Sequence, residues 1–320
     1  MNDHLSILLP VKNGEKYIQS SLLNLMKSCR VGDEILVVDD YSIDSTSKIV
    51  KQMCGEDSRI KLINNRESGI VGALNLGVYE SLNSWIARVD VDDKYDLNRF
   101  EIQRANLQAN TVGIFSDYDF FSESHNFLGT IPSAIDADAV AVSLIYSQRT
   151  AHPSILFSKE AVINAGGYRN EDFPAEDLSL WLRMSRFGDL ISIPKTLLHY
   201  RLSAGSVTGT KRNEAKEMTN KLLADIGINS KNIANLIENF ESVIELYKKH
   251  PYENERELLI IRDLLGLSKS NYVDTKTSKK IRHLLIKFIP KHSLNLSNFQ
   301  AIKLLYKEQV LRNKVRKSQI

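Results

Sequence analysis

The chain has 320 residues, 42% of them apolar and 25% charged, with 7 prolines and 2 cysteines. This composition excludes disordered, collagen-like and disulfide-stapled chains, and the length suits one large globular domain or two ordinary ones. The net charge of +3 gives no general case for nucleic-acid binding, but from Lys269 onward 13 basic residues stand against Asp274 and Glu308, a net +11 that leaves −8 on residues 1–268.

Leu5–Val11 is predicted as a strand, and Ile18, Leu22, Leu25 and Cys29 then recur on one face of a helix. Glu34–Val38 is an almost unbroken apolar run, as in a strand covered on both faces. It ends in Asp39-Asp40, and Ser42 or Asp44 is placed to cap a helix running to Met53. Ile60–Ile63 reads as a third strand, Ile70, Leu74, Val78 and Leu82 as one face of a helix, and Trp85–Val89 as a fourth strand ending in Asp90-Val91-Asp92-Asp93. Strands follow at Val112–Phe121, Asn126–Ile131, Ser154–Phe157 and Leu197–Leu202, with helices at Ala137–Tyr146 and Leu178–Phe187. Gly166-Gly167 closes another short helix. From Lys211 the pattern is helical and poor in Gly and Pro. The alternating strand–helix order at the start predicts a parallel α/β sheet, which binds ligands beyond the carboxyl ends of its strands.

The N-terminal apolar run has a proline within it and no basic leader, so no signal peptide is expected. No stretch approaches the roughly 18 apolar residues of a membrane span. Cys29 and Cys54 fit a reducing interior, which predicts a cytoplasmic protein that at most lies on a membrane surface.

Three acidic elements carry chemistry. Asp90 and Asp92, on a loop after a buried strand, can face one cavity and offer oxygen ligands to Mg²⁺ or Mn²⁺; the plainer reading is a turn, with Asp93 or Asp96 capping the next helix. Asp39 or Asp40 can accept from a base N–H or a ribose hydroxyl, or close a turn to Asp44. Glu176-Asp177 open a helix whose dipole favours anions, and a carboxylate there can take a proton from an attacking hydroxyl. The first strand runs into Pro10-Val11-Lys12-Asn13-Gly14, neither a dinucleotide fingerprint nor a Walker loop, which disfavours hydride transfer and P-loop phosphotransfer.

Taken in order, Leu5–Val11 with Asn13, VVDDYSIDST at Val37–Thr46, Asn65 and Asn75-x-Gly77, ARVDVDD at Ala87–Asp93, and Glu176-Asp177 with Trp181-Leu182-Arg183 resemble the family 2 glycosyltransferases over residues 4–208. The resemblance implies the GT-A fold, an α/β class with a Rossmann-like mixed sheet flanked by helices. Residues 1–208 would be the catalytic domain, with a nucleotide-binding half at 1–110 and an acceptor-binding half at 111–208, and 209–320 a basic helical region. It implies inverting transfer of a hexose or N-acetylhexosamine from a nucleotide-diphosphate donor, a UDP-sugar, to an acceptor hydroxyl in bacterial surface polysaccharide, lipopolysaccharide or capsule synthesis, with Mn²⁺ or Mg²⁺ as cofactor.

By the same resemblance Pro10, Val11 and Asn13 line the nucleotide pocket, and Asp39 or Asp40 holds uracil or ribose. Arg66, Asn75 and Arg88 contact the nucleotide or its phosphates. Asp90 and Asp92 hold the metal, Asp92 directly. Asp177 is the base, and Glu176 supports it or touches the acceptor. Trp181 and His152 border the acceptor. His199-Tyr200-Arg201 matches the segment that closes over the diphosphate; the family's histidine two residues after that arginine is Ser203 here, and His199 is the substitute metal ligand. The basic C-terminal region, with Leu284, Leu285, Phe288 and Ile289 among its cations, can lie on anionic lipid and suits a lipid-linked acceptor at the cytoplasmic face of the inner membrane. No nucleic-acid partner is expected, since its aromatics form no single-strand platform. The competing readings are a nucleotidyltransferase on a related scaffold, which wants a glycine-rich basic loop after the first strand, and a non-catalytic sugar-nucleotide-binding or scaffolding protein, against which Asp92 together with Asp177 argues.

Overall fold

A computed structural model describes residues 4–146, 148–202, 211–226, 230–247, 249, 253–269 and 273–292. In its first third, strands β1 (Leu5–Val11), β2 (Glu34–Asp39), β3 (Ile60–Asn64) and β4 (Trp85–Arg88) run parallel in the order β3-β2-β1-β4. They are joined by α1 (Ile18–Ser28), α2 (Thr46–Glu56) and α3 (Ile70–Glu80). Every residue of β1 and β2 is buried, so their apolar runs need no alternation: helices cover both faces. Leu82, expected on the buried face of α3, is 75% exposed, because the helix ends at Glu80 and the chain turns away toward β4.

Beyond β4 the sheet is mixed rather than parallel. The remaining strands are β5 (Lys94–Tyr95), β6 (Thr111–Ser122), β7 (Phe127–Ile131), β8 (Leu156–Ser158) and β9 (Asp189–Leu202). They extend the order as β4-β8-β6-β9-β5, with β7 paired to β6. β8 lies antiparallel to both β4 and β6 and is reached from β7 through a helix at Ala137–Tyr146 and a short 3-10 turn at His152–Ser154. β9 starts well before the predicted Leu197. Pro194 and Lys195 break its apolar pattern, and the ladder with β6 absorbs them as a register shift between Ile193 and Thr196. The two-residue β5 and helix α4 (Arg99–Ala105) carry no pattern long enough to predict.

The other helices are α5 (Ala137–Tyr146), α6 (Lys159–Asn164), α7 (Glu176–Met184), α8 (Arg212–Ile226), α9 (Ser230–Glu238), α10 (Phe240–Tyr247), α11 (Glu253–Lys269) and α12 (Thr275–His292). One core, on the α1, α2 and α4 face, holds Ile18, Leu22, Leu25, Val50, Met53 and Phe100. On the other face Phe115, Phe157 and Trp181 pack in one cluster with Leu223, Ile233, Phe240, Ile260, Leu264 and Ile281 from the C-terminal helices. Those helices therefore complete the core of the sheet. α11 is also fastened by Arg256, a fully buried side chain paired with Asp117 of β6 and donating to the Ser133 carbonyl.

Both cysteines are free, and burial pushes the Cys29 thiol up to about 12. Among the described residues no helix is long and apolar enough to cross a membrane. Ser203 and the basic residues beyond 292 lie outside the described residues.

Candidate active site

The carboxyl ends of β1, β2 and β4 open on one edge of the sheet. Val11 is in register with Asp39, and Leu8 with Arg88, so Asp40 and Asp90 leave strands that flank β1, roughly 10 Å apart at the usual strand spacing. The β1 and β2 loops are stitched together. Asn13, held at φ 53°, donates its N–H to Ser42 Oγ at 2.8 Å, and its Oδ1 accepts from Ile43 N at 2.9 Å. Pro10 and Val11 are buried strand residues behind this edge. Asp39 closes its own turn, accepting from Ser42 N at 3.2 Å and from Ser47 Oγ. Asp40 instead orders the β3–α3 loop: its Oδ1 accepts from Asn65 Nδ2 at 2.7 Å and Gly69 N at 2.8 Å, while Oδ2 faces the exposed Lys12 ammonium at 3.5 Å. Neither carboxylate is saturated by these contacts, so both keep acceptor capacity for a ligand.

Arg66 points its charge outward, 71% exposed and paired with Glu80 at 2.9 Å. Asn75 Nδ2 donates to the Tyr168 carbonyl and its Oδ1 accepts from Tyr168 N, both at 2.9 Å, so it braces α3 against the chain before α7.

After β4 comes a loop of three carboxylates. Buried Arg88 donates to Asp90 Oδ2 at 2.6 Å, and Asp90 N donates to the Tyr95 hydroxyl at 2.6 Å. From the end of β9, Arg201 clasps the loop: its N–H reaches Asp93 Oδ1 at 2.8 Å and its Nε the Asp92 carbonyl at 2.7 Å. Burial, and then the charge of Asp90, push the Asp92 carboxyl up to about 6. Burial and the same neighbours raise Asp93 well above the carboxylate range, and its Oδ2 is buried without a partner. The loop is short of positive charge.

Those features fit a hard divalent cation, which prefers an all-oxygen donor set and would offset the crowded charge. Among the described residues no three His, Cys, Asp or Glu side chains form a complete metal group, so ligand oxygens and water would fill the remaining positions. His199 is not in such a group. Register places it beside Asp119 of β6, whose carboxylate holds His199 Nδ1 at 2.8 and 2.9 Å and raises the imidazole pKa.

Glu176 and Asp177 form the first turn of α7, which begins after Ala175 without a side-chain cap. Asp177 Oδ1 accepts from Leu178 N at 2.7 Å, and burial raises its pKa. Glu176 Oε2 is buried without a partner; burial, then the charge of Asp177, push Glu176 up to about 7. The Arg88 guanidinium favours the charged form of Asp92, Glu176 and Asp177 alike, and Asp90 is its ion-pair partner. Acids 87 residues apart in sequence thus lie within electrostatic reach of one cation.

Behind that cation, His152 Nε2 meets the Tyr168 hydroxyl at 2.9 Å, and burial, then Arg88, hold the imidazole well below its usual pKa. Trp181, expected to floor the acceptor site, is 1% exposed. It packs edge-on against Phe115 and His152, both at 5.5 Å, and supports the site only from within the core. Sequence reasoning missed Tyr95, Asp93 and Tyr168 as site residues. An isolated tyrosine reads like core, and Asp93 reads like a cap; only the buried charge around them shows their place.

Residues 6–140 match the family model for glycosyl transferase family 2. An uncharacterized glycosyltransferase of Haemophilus influenzae is 25% identical over 91% of this chain and 94% of its own length. The Escherichia coli UDP-Glc:alpha-D-GlcNAc-diphosphoundecaprenol beta-1,3-glucosyltransferase WfgD is 28% identical over 68% of this chain and 84% of its own. The chain spans about a third, 34%, of a Rickettsia conorii relative. Among solved structures, Staphylococcus aureus TarS in complex with UDP-GlcNAc superposes with a TM-score of 0.60 at 15% identity, over 90% of this chain and 92% of that one. The mannosyltransferase PcManGT from Pyrobaculum calidifontis, with GDP-Man and Mn²⁺, gives 0.59 at 13% identity, over 95% and 86%. At such identities the likeness is one of fold: a GT-A sheet with its flanking helices.

Proposed function

The chain is a glycosyltransferase of family 2 built on the GT-A fold, and from that premise we propose that it is an inverting, metal-dependent enzyme. It moves a hexose or N-acetylhexosamine from a UDP-sugar to an acceptor hydroxyl during assembly of a bacterial surface polysaccharide, lipopolysaccharide or capsule. The observation that carries this reading is the gathering of Asp90, Asp92, Glu176 and Asp177 around Arg88. The E. coli relative, named for UDP-Glc and a diphosphoundecaprenol-linked acceptor, supports the choice of donor and a lipid-linked acceptor.

In this mechanism residues 1–110 hold the donor, with Asp39 or Asp40 accepting from the base or ribose. Asp92 and Asp93 would hold the divalent cation, which supplies charge neutralisation at the departing nucleoside diphosphate. Residues 111–208 hold the acceptor, and Asp177 takes its hydroxyl proton as that oxygen attacks the anomeric carbon from the opposite face. Glu176, next to it, sets the charge Asp177 experiences. One carboxylate base suffices for a single displacement, whereas a glycosidase needs two flanking the bond.

Thermal melts of the full chain with a panel of nucleotide sugars test this reading. A UDP-sugar is expected to raise the melting temperature when Mg²⁺ or Mn²⁺ is present and far less when it is chelated; occupancy at 100 times Kd is worth about 2.7 kcal/mol. Metal-requiring donor hydrolysis in the same samples separates an enzyme from a scaffold. If no nucleotide sugar stabilises the chain, the proposal fails.

The helical region from 209 onward is proposed to hold the enzyme at the cytoplasmic face of the membrane. Lys276, Lys279 and Lys280 are exposed on α12, and each basic residue near an anionic surface contributes about 1 kcal/mol. Changing all three to Glu should weaken sedimentation with anionic vesicles at low salt by at least tenfold, with no loss of fold. Equal sedimentation of both proteins would rule out this surface.

A further inference from the structure

Arg99 opens α4 just after the acid loop and is fully buried, as is Gln103 one helical turn later. The Arg99 guanidinium reaches both ends of that loop. At the start, its Nη2 donates to the Arg88 and Ile155 carbonyls, both at 3.1 Å, where β4 meets the approach to β8. At the finish, it lies 4.8 Å from the ring centroid of Tyr95, whose hydroxyl accepts from Asp90 N at 2.6 Å. Residues 89–94, which include Asp90, Asp92 and Asp93, are thus strung between a carbonyl and a ring that meet the same side chain.

Gln103 orients the guanidinium. Its Nε2 is committed to the Ile114 and Ser154 carbonyls, at 3.0 and 2.9 Å, which leaves Oε1 to accept from Arg99 Nε at 3.0 Å. The acceptors around Arg99 are therefore an amide and two carbonyls, all neutral, and its Nη1 is buried without a partner. A neutral side chain could make such bonds without burying a charge. Burial lowers the Arg99 pKa to about 10, and Asp93 opposes that shift, so the group stays charged at neutral pH. The charge adds attraction to a loop whose three carboxylates otherwise crowd one another. Shape matters as much. One planar group bonds two carbonyls and an amide while lying against Tyr95, which a lysine ammonium cannot reproduce. Held at both ends and faced by a fixed positive charge, the loop is assembled during folding rather than when a ligand arrives.

We propose that Arg99, acting through Tyr95 and the Arg88 carbonyl, is the residue that positions the acid loop for its divalent cation. Being fully buried, it works through the loop and supplies no ligand of its own. This role rests on the metal-dependent reading above and goes beyond it by naming what preassembles the site.

The test compares the full chain with Tyr95→Phe, Arg99→Lys and the double variant. UDP retained in equilibrium dialysis, measured over a series of Mn²⁺ concentrations, gives a Mn²⁺ midpoint for each protein. Tyr95→Phe keeps the ring and removes only the acceptor of the Asp90 N–H. Its melting temperature should fall by no more than about 4 °C. Its Mn²⁺ midpoint should nevertheless rise roughly 10–100-fold, the usual cost of losing a group that orients metal ligands. Arg99→Lys should raise the midpoint similarly, and the double variant no further than the larger single effect, since both changes release one loop. A Tyr95→Phe midpoint within about threefold of wild type overturns the proposal, as do losses that multiply in the double variant. If Arg99→Lys does not fold, the Tyr95→Phe midpoint decides alone. Wild-type UDP retention that is absent or ignores Mn²⁺ defeats the metal-dependent reading and this role with it, a result distinct from equal midpoints.

Discussion

Replacing Asp177 by Asn is expected to lower sugar transfer by roughly 10²–10⁴-fold, the usual contribution of a positioned general base, while metal-dependent stabilisation by the UDP-sugar changes by less than about twofold. The substitution is nearly isosteric, and an Asn Oδ1 can still accept the Leu178 N–H bond that orients the side chain. What disappears is the capacity to accept a proton. Binding and chemistry should therefore separate, with kcat carrying the loss. Glu176→Gln should cost less, because it removes a neighbouring charge rather than the base. The pH profile has a fixed sign: burial raises Asp177, and Glu176 beside it is pushed up to about 7. Below neutrality the pair keeps a proton that the base must shed, so wild-type kcat should rise with pH through about 7, and that limb should be lost in Asp177→Asn. Wild-type turnover in this variant would remove Asp177 from the mechanism.

The parts of this site that the sequence displays are those set by local periodicity. β1, β2 and β4 are fully or largely buried runs, and β2 and β4 lead into acids, so both the strands and the edge receiving Asp40, Asp90 and Asp92 are legible from the order of residues alone. α7 is legible from its acidic first turn and apolar face. The rest depends on distant contacts. Asn75 occupies a motif position, but its amide is used by Tyr168, 93 residues away. Trp181 sits on the helix that carries the proposed base, yet the side of that helix it occupies is the core. His199 stands next to the right segment, and a register with Asp119, 80 residues earlier, engages its ring. The mixed sheet has the same origin: the direction of β8 is realised in its antiparallel pairing with β4 and β6, strands distant from it in sequence, rather than in any property of the strand itself.

Arg256→Ala is expected to destabilise the whole molecule by about 3–5 kcal/mol, the cost of leaving one partner of a buried ion pair alone. The two side chains are 0% and 1% exposed. Asp117 has little to replace the guanidinium, for its Oδ1 already accepts from Ser133 N and Oγ, both at 2.8 Å. Arg256 also donates to the Ser133 carbonyl, so one side chain on α11 ties together β6 and the chain leading into α5. The helices beyond residue 211 share their core with Phe115 and Trp181, and loss of this tie should lower the urea midpoint of a single transition rather than detach a C-terminal unit. Removing both charges together, as Arg256→Met with Asp117→Asn, should recover much of the loss, because a buried pair is costly mainly when half of it remains. Two separate unfolding transitions in Arg256→Ala, with the sheet melting at its wild-type midpoint, would mean that the C-terminal helices contribute nothing to the stability of the catalytic core.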